Sequence, residues 1–317
     1  MASMGIPVWQ LPVFLFGLIS LVLYVIIIIV ICRYRKRSSS LAGSFFLLVI
    51  VHAIADISMF SEFNVLMRAR KFGYLNSIFT DHTNAYEGTA RFSTWLHYYL
   101  KIVVYIGHVF FALNRLTAIS YPVNYEELWS RKRLYLAWIF QWTLPMIPTL
   151  TIVLDKRRTF MLRYRREDNM LRLEHDAATT QDLAYVDGVC CLAATVFCIA
   201  FYCATFYHIS KQLRKRHVER AFLIELRLVF ASFIVFMLLL LNTFAQVLFV
   251  VFIFREQDDA VMVLHSVTYP LIDMLCMAQP WALVLTSSQI RTAIWSLFGK
   301  KGTNNGSSHE SMLRNGS

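Results

Sequence analysis

Long apolar runs separated by short polar or basic segments set the pattern of this chain. A helix needs about 20 apolar residues, at about 1.5 Å each, to cross a hydrocarbon core of about 30 Å. Seven runs meet that length: Val8–Cys32, Leu41–Phe60, Thr94–Leu116, Tyr135–Leu154, Tyr185–His208, Leu228–Phe254 and Val261–Thr286. The first carries no charge, the second is interrupted by His52 and Asp56, and the third by Lys101 and His108. The seventh holds two prolines. Beyond it, Ser288 to Phe298 places Ile290, Ala293, Ile294 and Leu297 on one helical face, the pattern of a helix lying along a membrane surface. The expected fold is an all-α membrane protein. It is a seven-transmembrane helix bundle over residues 1–300, with a short amphipathic helix after span seven. The charged loops Ser61–Ser93 and Asp155–Ala184 are expected to form short helices. The Gly-, Asn- and Ser-rich tail 302–317 is expected to be disordered.

Composition agrees with the pattern. Of 317 residues, 57% are hydrophobic and only 16% charged, against about 25% charged in a soluble domain. That excludes an ordinary cytosolic enzyme, a disordered chain and a disulfide scaffold. The net charge of +11 does not point to nucleic acid, because the basic residues form short clusters between apolar runs. Those clusters orient the chain. Arg33 to Arg37, Arg131 to Arg133 and the segment Lys211 to Arg227 all fall on one side, which the positive-inside rule makes the cytosol. The amino terminus is therefore expected outside and the carboxyl terminus inside. Span one is read as a retained anchor, since no Lys or Arg precedes it and a basic cluster follows it. The six cysteines lie within spans or at a cytosolic helix end, so no outer disulfide is expected. The sequons at Asn305 and Asn315 lie in the cytosolic tail and are expected to stay unglycosylated. No Cys/His spacing suggests a metal, and no cofactor is expected.

At the inner end of span three the chain reads Asn114-Arg115-Leu116-Thr117-Ala118-Ile119, then Pro122, then Tyr125-Glu126-Glu127-Leu128-Trp129. The Arg, Ala-Ile and Pro are similar to the D-R-Y-x-A-I-x-x-P stretch of rhodopsin-like G-protein-coupled receptors. Asn114 stands for the acid and Leu116 for the tyrosine. Spans five and six lack proline, and span three lacks its usual outer cysteine. The whole segment more closely resembles the N-R-x-T-A-I…P-x-x-Y-x-x-x-W of nematode serpentine chemoreceptors, gamma superfamily, class Srg or Srv. The resemblance implies a plasma-membrane chemosensory receptor, with a small-molecule ligand outside and a heterotrimeric G protein inside. It implies a coupling role for Asn114 and Arg115. Phe222, Leu223 and Leu226, on the cytosolic extension of span six, are expected to meet the same partner.

A charge near the bilayer centre costs at least about 2.5–3.5 kcal/mol on insertion scales, so it faces the bundle and finds a partner. Asp56, Lys101, His108 and Asp273 are the candidate intramembrane polar network. Lys101 is expected to pair with Asp273 or Asp56, either as an interhelical lock or as a ligand-contacting pair. Asp187, at the end of span five, is expected to be solvated. Asn242 and Gln246, one turn apart in span six, read as helix–helix glue. The alternative function is an ion or solute transporter or channel using these charges. An odd span count without a repeat disfavours it. A retinal pump needs a lysine in the last span and a zinc hydrolase needs clustered histidines. The sequence has neither.

Overall fold

The computed structural model describes residues 7–35, 43–75, 86–165, 170–214 and 220–298. Among them, seven helices are long and apolar enough to cross a membrane: α1 (Val8–Tyr34), α2 (Ser44–Lys71), α3 (Glu87–Ser120), α4 (Arg131–Val153), α5 (Ala177–Leu213), α6 (Phe222–Phe254) and α7 (Asp259–Met277). Two shorter helices follow, α8 (Gln279–Thr286) and α9 (Ser288–Phe298). The predicted amphipathic helix is α9. Its Ile290 and Ala293 are buried with Ile27, Ile31 and Leu283. The expected disordered tail lies outside the described residues.

Burial separates the helices by role. In α2 and α3, 67% of the apolar window is buried, whereas in α4 it is 28%. Helices α2 and α3 are thus the most enclosed, and α4 presents most of its surface outward. Where α2 meets α3, Gly107 faces the His52 ring and the Gln141 amide, and a Cβ there would overlap both. Only glycine permits that approach of backbone to side chain.

Four boundaries differ from the sequence expectation. The apolar run of span seven is two helices, divided at Ala278, with Pro280 in the first turn of α8, where a missing N–H costs nothing. Helix α2 continues past Phe60 through a π-helical stretch, Phe63–Arg68. Helix α5 begins at Ala177, about two turns before its apolar run, because Asp176 caps it by accepting from the Thr179 amide at 2.8 Å. Finally, the loop expected to be helical holds an antiparallel hairpin, β1 (Phe160–Arg165) with β2 (Met170–His175), in register Phe160↔His175. Phe160, Leu162 and Leu171 are buried against Ala90, Val153 and Leu183, while Arg163 and Arg172 are exposed. Period-2 burial favours a strand over a helix.

The hairpin is fastened to the bundle by side chains. Arg91 of α3 donates to the carbonyls of Val153 (2.5 Å), Asp155 (3.1 Å) and Arg158 (2.7 Å). Its guanidinium also lies 4.7 Å from the centre of the Phe160 ring. Thr94 shares a hydrogen bond with His175 (2.9 Å), and Arg70 donates to the Leu171 carbonyl (3.1 Å).

Candidate functional site

Among the described residues, four polar centres stand out inside the bundle. The first joins α3, α5 and α6 below the hairpin. Lys101 donates to Asp187, and both side chains are buried. Tyr105 donates to the other Asp187 oxygen at 3.2 Å, and Asn242 donates to the Tyr105 hydroxyl at 3.3 Å. With its amide turned to suit its neighbours, Gln246 donates to Asp187 (3.0 Å) and accepts from Lys101 (3.2 Å). The chain of contacts continues through Cys191 and Thr243 to Thr195. Every charge here meets an opposite charge and further hydrogen bonds, the condition for a tolerable buried pair.

The second centre joins α2 and α7. Arg68 donates from Nη2 to Asp273 at 2.6 Å and from Nη1 to Asn64. Arg68 is 2% exposed and Asp273 0%, so this pair is as buried as any apolar contact. The guanidinium lies within 5.9 Å of the Phe14, Phe63 and Tyr269 ring centres.

The third is at mid-bundle. Tyr24 of α1 donates to Asp56 at 2.5 Å. His52 lies one turn before, 3.6 Å from the other Asp56 oxygen, with its ring edge-on to that of His108 at 4.8 Å. His108 and Gln279 also border a small gap with Phe111, Tyr202, Ser232, Val235 and Phe236.

The fourth closes the end of the bundle opposite the hairpin. Arg115 is fully buried. It donates to Glu225 of α6 at 2.7 Å and to Asn114 at 2.5 Å, and its guanidinium stacks 3.9 Å over Phe45. Asn114 in turn donates to Tyr125 at 3.0 Å. Burial raises the Tyr125 hydroxyl's pKa, keeping it a neutral donor and acceptor. Trp129 donates to Thr117 at 2.7 Å. These contacts explain the spacing from Asn114 to Trp129. The short turn after α3 folds back so that its Tyr and Trp bond the helix they have just left. Phe222 and Leu226 pack on Ile119, Ile209 and Val229, while Leu223 is exposed.

Lys101 therefore pairs with neither Asp273 nor Asp56, contrary to the sequence expectation. Asp187 is buried rather than solvated. The physical reason is the early start of α5, which carries Asp187 about three turns into the helix. Asp273 is held by Arg68, which the apolar pattern had left in a loop. The four expected network residues, Asp56, Lys101, His108 and Asp273, are divided among three centres. Arg68, Tyr24 and Glu225 were missed. Glu225 had a signal, being an acid within a basic segment, beside the apolar residues Phe222 and Leu226.

This architecture is that of a rhodopsin-like seven-helix bundle. Crystallised squid rhodopsin superposes with a TM-score of 0.65 over 98% of this chain and 92% of that one, at 11% sequence identity, which speaks to fold alone. The model of the serpentine type 7TM GPCR chemoreceptor Srv family matches residues 13–300. The chain belongs to that family, a multi-pass membrane receptor family, and the match selects Srv from the two classes the motif left open. A curated relative, Serpentine receptor class gamma-3 of Caenorhabditis elegans, is 23% identical over 281 residues, spanning 85% of this chain and 76% of that protein.

Proposed function

We propose that this chain is a plasma-membrane chemosensory receptor that binds a small external ligand at the hairpin end and signals through a heterotrimeric G protein at the other. The amino terminus faces outside and the carboxyl terminus the cytosol. The observation that carries this reading is that α3 and its neighbours α5 and α6 are bonded at both ends. Lys101, Tyr105, Asp187, Asn242 and Gln246 join them under the hairpin. Arg115–Glu225 and the Gln212 bond to the Ile119 carbonyl (2.9 Å) join them at the far end. A ligand that alters the first set shifts the equilibrium of the second by its differential affinity for the two arrangements.

In this reading Arg115–Glu225 holds the G-protein groove shut. Opening it frees Arg115 and Asn114, with Phe222, Leu223 and Leu226 on the facing wall, to receive the partner. Asp56 and His108 lie between the two ends and relay the change, and Asp273 and Lys101 sense it. The test is Arg115→Ala, assayed in cells by calcium release at equal surface expression. Signalling is expected to vanish while surface level holds. An unchanged dose–response would end the coupling role.

A further inference from the structure

The Arg68–Asp273 bridge is half made. A guanidinium and a carboxylate can form two parallel bonds, and here one forms, Nη2 to Oδ2. Arg68 Nε and Asp273 Oδ1 are both buried and both without a protein partner. Nη1 is already engaged by Asn64. The unused donor and the unused acceptor thus belong to two side chains joined by a single 2.6 Å bond. Leaving such atoms unpaired costs free energy that a suitable group recovers.

We propose that this pair is the recognition point for a small neutral molecule carrying a hydroxyl on an apolar or aromatic body. The proposal rests on the receptor reading only in naming the molecule as the ligand. A hydroxyl supplies one donor, for Asp273 Oδ1, and one acceptor, for Arg68 Nε. A charged molecule fits worse. The two residues already neutralise each other, so a carboxylate taken by Arg68 strands Asp273, and an amine taken by Asp273 strands Arg68. The neighbouring cations do not reverse this. Arg70 is committed to the hairpin carbonyl of Leu171, and Lys71 sits 4.5 Å over the Tyr269 ring. Glu62 and His97 face each other at 3.1 Å. The apolar body meets Phe14, Phe63 and Tyr269, whose rings surround the guanidinium. The local backbone supports the assignment. Arg68 closes the π-helical stretch Phe63–Arg68, and such stretches concentrate at functional positions.

The test uses the full-length chain in lipid nanodiscs and fluorine NMR, with no G protein present. Four probes of one shape are compared: 4-fluorobenzyl alcohol, its isomer 4-fluoroanisole, 4-fluorobenzoate and 4-fluorobenzylamine. Line broadening beyond empty nanodiscs reports binding. The alcohol is expected to bind about tenfold more tightly than the ether, the worth of one hydrogen bond to a charged group. The ions are expected to bind more weakly than the alcohol. The selectivity is expected to disappear in Arg68→Gln/Asp273→Asn, which leaves no stranded charge. It is expected to persist in Trp295→Ala, an exposed residue of α9 at the opposite end of the bundle. If the first double variant does not fold, Phe14→Trp, which fills the ring wall and spares the polar atoms, is expected to weaken the alcohol instead. Equal binding of ether and alcohol, stronger binding of either ion, no binding of any probe, or selectivity that survives loss of the pair would each overturn the proposal. A selective alcohol site in a chain that gives no calcium response in cells would count against the receptor reading and leave this site standing. Alcohol-independent binding in a chain that does signal would do the reverse.

Discussion

Among the described residues, Lys101–Asp187 and Arg68–Asp273 are both buried ion pairs, and they are built differently. Lys101–Asp187 is saturated. Tyr105 and Gln246 complete its hydrogen bonds, and it ties α3 to α5 with α6 alongside. Arg68–Asp273 is equally buried, yet one atom of each partner has nothing to bond. The difference teaches that burial alone does not define a lock. A pair whose every donor and acceptor is used resists change, because any rearrangement loses several bonds at once. A pair held by one bond, with an atom of each partner unused, has fewer bonds opposing its rearrangement.

The largest effect should come from breaking the saturated pair. Lys101→Met strands Asp187, at about 3–5 kcal/mol. Thermal unfolding of the purified receptor, or surface expression, should fall steeply. Lys101→Met/Asp187→Asn should recover most of the loss. If the double variant equals the sum of the singles, the two residues are not coupled.

A smaller effect sharpens the contrast. Asn64→Ala removes the acceptor that Arg68 Nη1 uses, leaving that buried donor unpaired, and should cost about 1–3 kcal/mol. Gln246→Ala at the other pair leaves Lys101 and Asp187 still bonded to each other, and should cost less in the same unfolding assay. The reverse ranking would mean that the half-made pair is the stronger lock.

Smaller again is the change at the opposite end of the bundle. Glu225 is 35% exposed, so its bond to Arg115 is worth only about 1 kcal/mol or less after screening. Glu225→Gln should raise basal signalling a few-fold without altering surface level. A fall in basal signalling would show that Glu225 helps the partner rather than excludes it.

The smallest effect lies above the pairs, in the hairpin. Burial, with Arg70 nearby, lowers His175 to about 4, while Asp176 beside it is held at about 2 by the Thr159 and Thr179 amides. An unfolded His titrates near about 6.5, so the loosened hairpin binds the extra proton between those values and docking weakens as pH falls from about 6.5 to about 4. The Asp176 contribution is present above about 4 and is lost only as pH falls toward about 2. The protection factors of the β1 and β2 amides, corrected for intrinsic exchange, should therefore fall as pH drops from about 6.5 to about 4. His175→Gln should flatten that response. A response confined below pH 4 would assign it to Asp176.

Much of this was legible along the chain. Seven spans followed from length and hydropathy, because lipid requires each crossing segment to satisfy its own backbone within a helix. The amphipathic α9 followed from periodicity. The segment Asn114 to Trp129 pointed to the family. Asp56, Lys101 and Asp273 stood out because charge in an apolar run is costly and so demands a partner.

Which partner each charge takes was decided by tertiary structure. Lys101 had three acids within plausible depth. The choice fell to Asp187 because α5 starts early, capped by Asp176, and because α3 and α5 pack side by side. Arg68 was hidden in a loop until the π-helical stretch extended α2 and turned it toward Asp273. Hydropathy measures the cost of burying a charge, a property of one residue read in place. Pairing depends on helix phase and relative depth, and those exist only once the helices have packed.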